Sequence, residues 1–182
     1  RWIADEKQRP AFKVIAVEQT MKTALSGLPL TLRIDRIDQL ADDSIFLIDY
    51  KTGQSNPRNW CGDRPKEPQL PLYAISSRKT VSAIGFAQVN VKSAGFKGLS
   101  VGQSPATGIT LLTEHRLPLP DDWPPLIDHW RQVLEQLAAD FLQGSSEVDP
   151  IDSSAYNYTG LEPLNRFYET EQLAEREESN NG

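Results

Sequence analysis

Two stretches decide how this sequence folds: Leu32-Arg33-Ile34-Asp35-Arg36-Ile37-Asp38 and Ile45-Phe46-Leu47-Ile48-Asp49-Tyr50-Lys51. Both are rich in the branched and aromatic residues that suit an extended, packed backbone. The run Ile45-Phe46-Leu47-Ile48 shows no polar alternation, which marks a strand covered on both faces. Strands are expected over residues 30–40 and 45–51, with Asp42-Asp43-Ser44 turning the chain between them. Upstream, residues 12–20 read as another strand, followed by the turn Ser26-Gly27-Leu28-Pro29. Three consecutive strands with short turns make a β-meander the simplest arrangement.

Outward from this centre the pattern changes. Residues 2–9 read as a short charged helix end, stopped by Pro10. Residues 52–68 hold Gly53, Pro57, Gly62, Pro65 and Pro68 and form a long loop, a length that tends to go with function. Residues 69–77 read as a helix, with Pro71 tolerated near its start. Strand character returns over 81–91. Residues 93–109 are rich in Gly and Ser and fit a hairpin or a surface excursion, and Leu111-Leu112 suggests a short strand. A helix is expected over 123–143, capped by Asp121-Asp122 and ended by Gly144. Its apolar stripe is Leu126, Ile127, Trp130, Val133, Leu134, Leu137 and Phe141. Strands, helix, strand and helix in this order place the chain in the α/β or α+β class.

The chain has 182 residues, room for one domain with a sizeable core. Hydrophobic residues at 38% and charged residues at 24% exclude wholesale disorder and collagen-like repeats. No apolar run approaches the roughly 18 residues that cross a bilayer. Cys61 is the single cysteine, which excludes an internal disulfide framework and any cysteine-built zinc or iron–sulfur site. A reducing, cytoplasmic setting fits it. The net charge of −6 is unevenly spread. Residues 1–79 carry 13 Lys and Arg against 10 Asp and Glu; residues 80–182 carry 6 against 15. Such a chain repels polyanions at long range but leaves room for a basic or metal-bearing face in its first half. The opening has no apolar signal segment and no Met, so a fragment of a longer protein is expected. The expected layout is one domain over 1–168 and an acidic, disordered tail over 169–182.

Asp49 and Lys51 lie two apart on a strand, so their side chains share a face at its end. Asp35 lies on the adjoining strand. Two carboxylates can hold a hard cation such as Mg²⁺, which takes oxygen ligands and keeps waters. Such an ion lowers the pKa of water and stabilises charge on a phosphoryl oxygen, while a lysine orients the water or offsets negative charge. By themselves, Asp49 and Lys51 describe a solvated salt bridge far more often than chemistry. Charges at the end of a strand buried on both faces are costly unless paired or used, which favours the chemical reading.

Taken in order, Leu32-Arg33-Ile34-Asp35-Arg36-Ile37-Asp38, then Ile48-Asp49-Tyr50-Lys51-Thr52-Gly53, then Pro68-Gln69-Leu70-Pro71-Leu72-Tyr73-Ala74 strongly resemble the RecB/AddB-type branch of the PD-(D/E)XK nuclease superfamily. The resemblance covers most of residues 6–167, with the sharp motifs between 27 and 74. It implies a restriction-endonuclease-like core, a mixed β-sheet flanked by helices in α-β-β-β-α-β order. It implies Mg²⁺- or Mn²⁺-dependent hydrolysis of DNA phosphodiester bonds, in DNA repair or recombination beside a helicase module or subunit. Carried over by position, Asp35 and Asp49 are the metal-ligand carboxylates, Lys51 is the catalytic lysine, and the Tyr50 carbonyl completes the metal shell. Gln69 and Tyr73 match the family's Gln-x-x-x-Tyr motif and share a helix face, to hydrogen-bond DNA or support the metal shell. The two residues alone also fit a surface glutamine and a core tyrosine.

The resemblance has two departures. The family commonly supplies a His or Glu from a helix upstream, whereas no histidine precedes His115, and Glu6 and Glu18 match no motif. The expectation is a chain without that helix. Near the C-terminus, residues 155–167 resemble the family's iron–sulfur segment, but Tyr156, Thr159 and Asn165 stand where it has cysteines. No cluster is expected, and Tyr156, Tyr158, Leu161, Leu164 and Phe167 are expected to dock as an apolar patch. These departures favour an alternative: a catalytically impaired module of the same fold for DNA threading or protein docking. Asp38 faces away from Asp35 on a regular strand and is expected to pair with Arg36; Arg33 is expected in a salt bridge. Trp60 is a candidate DNA contact with packing the favoured role, beside a basic cluster of Arg58, Arg64 and Lys66. His115 and His129 are expected to be satisfied or solvent-facing, and Trp123 and Trp130 to pack a helix.

Overall fold

A computed structural model describes residues 2–89 and 94–145. The chain divides into one unit over Arg1–Leu142 and a second over Gln143–Gly182. Of the second, only residues 143–145 are described, a turn with Gly144 at φ 75°. The expectations for residues 155–167 and 169–182 lie outside the described residues.

The first unit runs α1 (Trp2–Lys7), β1 (Phe12–Leu25), β2 (Leu28–Leu40), β3 (Ile45–Lys51), α2 (Gln69–Ser76), β4 (Val81–Gln88), β5 (Gly95–Ser100), β6 (Ile109–Leu111) and α3 (Trp123–Leu142). The strands form one mixed sheet, lying side by side in chain order. β1, β2 and β3 are antiparallel neighbours, the expected meander. β3 and β4 are parallel, as the intervening loop and α2 allow. β5 returns antiparallel to β4, and β6 runs parallel to β5. This mixed six-stranded sheet with flanking helices is the restriction-endonuclease-like α+β architecture.

The first hairpin is longer than its sequence pattern suggests. β1 continues to Leu25, paired with Leu28, so the turn is only Ser26-Gly27. Both turn residues take positive φ, 47° and 86°, the twist that suits a two-residue hairpin. Polar residues Gln19, Thr20, Lys22 and Thr23 hide this extension from a hydrophobicity reading, because β1 is a sheet edge with one face in water. The stretch expected as a hairpin or surface excursion instead supplies β5. Gly98 makes this possible, since a Cβ there would stand 2.1 Å from the Ile84 carbonyl oxygen.

Two cores cover the two faces of the sheet. One joins Ile34, Ile37, Leu47, Ile84 and Phe86 to Leu70 and Tyr73 of α2 and to Leu126, Trp130 and Leu134 of α3. The other holds Phe46, Ile48, Ala83, Ala87 and Phe96, with Trp2 of α1 packed against it. Ile45–Ile48 are thus buried on both faces. α3 buries Leu126, Trp130, Leu134 and Ala138, a narrower stripe than expected, and Phe141 is 70% exposed. Asp122 accepts the Trp123 amide at 2.8 Å as the expected cap. Trp60 packs in the core rather than facing DNA: it is fully buried, lies 4.8 Å from the Phe86 ring, and its carbonyl accepts the Trp130 indole N–H. It pins the long loop to the sheet through the turn Pro57–Trp60. Among the described residues, no helix is long and apolar enough to cross a membrane.

Candidate active site

The pairing of β2 with β3 runs from Gln39 opposite Ile45 to Arg36 opposite Ile48. Asp35 and Asp49 are the next residues on each strand, so the carboxylates emerge where the ladder ends. Asp35 Oδ2 accepts the Tyr50 amide at 2.8 Å, which stitches the two strand ends together. Ile34 and Ile37, three apart, both line the α2–α3 core, so the side-chain alternation slips by one at Asp35 and Arg36. Glu18, opposite this point on β1, takes φ 51°, which marks the same bend on the neighbouring strand.

Asp49 is 4% exposed. Burial lifts its carboxyl well above the usual range; the Lys51 ammonium pulls it down and the adjacent Asp35 carboxyl pushes it up, leaving it at about 6. Lys51 Nζ lies 2.8 Å from Asp49 Oδ2. Oδ2 is buried, and the Lys51 ammonium is the partner it faces. A buried carboxylate oxygen with lone pairs to spare, beside a second carboxylate, is what a hard cation needs. Burial alone would lower the Lys51 pKa, but Asp49, Glu67 and Asp35 together hold it above the ordinary lysine value. Among the described residues no group of three or more His, Cys, Asp or Glu closes on one point. A divalent ion held by these two carboxylates would complete its shell with waters.

Gln69 and Tyr73, on the first turns of α2, do share a face and both reach backbone. Gln69 Nε2 donates to the Arg33 carbonyl at 2.6 Å, and the Tyr73 hydroxyl to the Gln19 carbonyl at 2.8 Å. They tie α2 to β2 at Arg33 and to β1 at Gln19, which pairs with Ile34 next to Asp35. A cleft of about 450 Å³ opens beside them, lined by Thr31, Arg33, Lys51, Lys66, Glu67 and Gln69 among others.

The other acids are engaged elsewhere. Asp38 is fully buried, held by Arg36 Nε at 2.7 Å and Arg9 at 2.7 Å. Glu6 binds Arg9 and Arg36 at 3.1 and 2.9 Å. Arg36 also donates to the Tyr50 hydroxyl, whose ring meets Trp2. Arg33 pairs with Glu18 in the open. His115 closes its own turn, accepting the Leu117 amide and contacting the Pro120 carbonyl. Glu67 is the site residue that sequence reasoning missed. Its position two residues before Gln69 was the available signal, masked by an otherwise uninformative Pro-rich loop.

A family model of the PD-(D/E)XK nuclease superfamily matches residues 1–156. The chain belongs to this superfamily. No curated protein matches it. Membership accounts for the α-β-β-β-α-β order, the mixed sheet and the paired strand ends.

Proposed function

We propose that this PD-(D/E)XK domain is a metal-dependent deoxyribonuclease of the RecB/AddB type, hydrolysing DNA phosphodiester bonds in repair or recombination. The observation that carries this reading is the junction of Asp35, Asp49 and Lys51 at the paired ends of β2 and β3, with Asp49 Oδ2 buried and paired to the Lys51 ammonium. Asp35, Asp49 and the Tyr50 carbonyl would hold Mg²⁺ or Mn²⁺. The ion, when bound, supplies Lewis acidity toward the phosphoryl oxygen and a more acidic water.

The chain's own residues do the rest. Asp35 is aimed by the Tyr50 amide. Lys51 offsets charge that builds on the phosphate and orients the attacking water. Gln69 and Tyr73 hold β2 and β1 in place under the site, so that the two carboxylates keep their spacing. Arg33 and Lys66 on the cleft wall suit phosphate contact. The acidic second half favours delivery of DNA by a helicase module or subunit over unaided capture. The single Cys61 fits a cytoplasmic setting.

The test is hydrolysis of a labelled DNA with Mg²⁺ or Mn²⁺. Asp49→Ala and Lys51→Ala should each cut the rate by about 10²–10³. Cleavage that survives both changes places the chemistry elsewhere. Metal-dependent DNA binding without cleavage by the unaltered chain would favour the threading or docking module.

A further inference from the structure

Lys51 and a divalent cation compete for the same atom. The ammonium lies 2.8 Å from Asp49 Oδ2, the buried oxygen best placed to ligate. Two positive centres at one oxygen repel in a site of low dielectric. A cation at that oxygen would push the ammonium away from it. Lys51 is the last residue of β3, and its four-carbon stem lets the ammonium swing into the adjoining cleft.

That cleft holds a prepared acceptor. Glu67 lines it together with Lys51. Its Oε2 is buried and makes no hydrogen bond, which leaves it room to accept from an ammonium. Its Oε1 accepts from the Ser55 hydroxyl at 3.3 Å, and its amide donates to the Asn59 carbonyl at 3.2 Å. Ser55 is itself fixed by Gln88, whose side-chain amide donates to the Ser55 carbonyl. Gln88 is the register partner of Lys51 across β3 and β4. A chain of buried contacts thus runs from the strand position beside Lys51 to Glu67 and holds that carboxylate in place. Among the described residues Glu67 closes no three-acid group with Asp35 and Asp49.

We propose that Glu67 is the second berth of Lys51: cation binding at Asp35 and Asp49 sends the ammonium from Asp49 Oδ2 to Glu67 Oε2, which keeps it in the cleft. Glu67 is then a positioning residue. The proposal rests on the nuclease reading above, and its test separates the two.

The test is a double-mutant cycle on the full chain, read by calorimetric Ca²⁺ binding without DNA. Wild type, Glu67→Gln, Lys51→Met and the double variant are compared, with Asp49→Asn as the reference for the site and thermal unfolding as the check on folding. Glu67→Gln should weaken Ca²⁺ about tenfold where Lys51 is present, because the lysine then stays on Asp49. In the Lys51→Met background the same change should alter affinity less than about twofold. Glu67→Asp, which keeps the charge, should recover most of the loss. An equal loss in both backgrounds would show Glu67 acting on the ion by its charge, and no loss in either would show it idle; each overturns the proposal. Ca²⁺ binding that Asp49→Asn leaves unchanged would instead overturn the nuclease site, and the lysine switch with it.

Discussion

Asp49 is the residue on which a stability measurement can act directly. Its carboxyl, ordinarily at 3.8, titrates at about 6 when folded, chiefly because it is buried. The folded chain therefore binds more protons than the unfolded chain between these values. By linkage, Asp49 makes stability fall as pH rises from about 4 to about 6, and the loss is complete above that window. Asp49→Asn removes the titration. Through this window the variant should gain about 3 kcal/mol of stability relative to the wild type without metal, at about 1.4 kcal/mol per unit. Urea unfolding at pH 4 and pH 7 measures this. A wild-type-to-variant difference that does not change with pH would show that Asp49 is not held in its charged state at a cost. Saturating metal should reverse the order, since it favours the ionised wild-type carboxylate.

At the scale of elements, the site depends on how closely β4 and β5 approach. A Cβ at Gly98 would meet the Ile84 carbonyl oxygen at 2.1 Å and the Gly85 Cα at 2.6 Å. Both are backbone atoms that no side-chain rotation can clear. Gly98→Ala should cost about 1–3 kcal/mol, seen as a lower urea midpoint. A wild-type midpoint would mean that the two strands do not pack this closely. The strand and helix pattern was largely readable along the chain. Alternating apolar residues Leu28, Leu30, Leu32 and Ile34 marked β2, the apolar run marked β3, and the 3.6-residue stripe marked α3. The second half of β1 and the whole of β5 were not readable. The first is polar on an edge, and the second is glycine-rich because backbones touch there, so neither carries a hydrophobic period.

At the scale of the molecule, α1 is joined to the sheet by charge as well as by Trp2. Arg9, Arg36, Glu6 and Asp38 form a network whose centre, Asp38, has no solvent exposure, and the Arg9 side chain is 1% exposed. The Arg9 guanidinium also stacks 3.8 Å from the Phe12 ring centroid. Removing Asp38 leaves Arg9 and Arg36 sharing Glu6, which is part-exposed, in place of a fully buried counter-ion. Asp38→Ala should cost about 3–5 kcal/mol and be little changed by salt, because the pair is shielded from solvent ions. Thermal unfolding at low and high ionic strength tests both statements. A loss under about 1 kcal/mol would show a solvated network. Arg36 also reaches the Tyr50 hydroxyl, so this network lies directly behind the strand end that bears the site.

The sequence by itself determined the strand periods, the superfamily and the identity of the acids and lysine that end two neighbouring strands. These are local properties, carried by residue type and by spacing within a dozen positions. Only the tertiary structure decided which partner each side chain has. It turned Asp38 toward Arg9, sent Gln69 and Tyr73 to carbonyls of β2 and β1, buried Trp60, and brought Glu67 into the cleft of Lys51. The reason is physical. A side chain's partner depends on strand register and on which segments the fold closes against each other, and neither distance is written in the spacing of the residues along the chain.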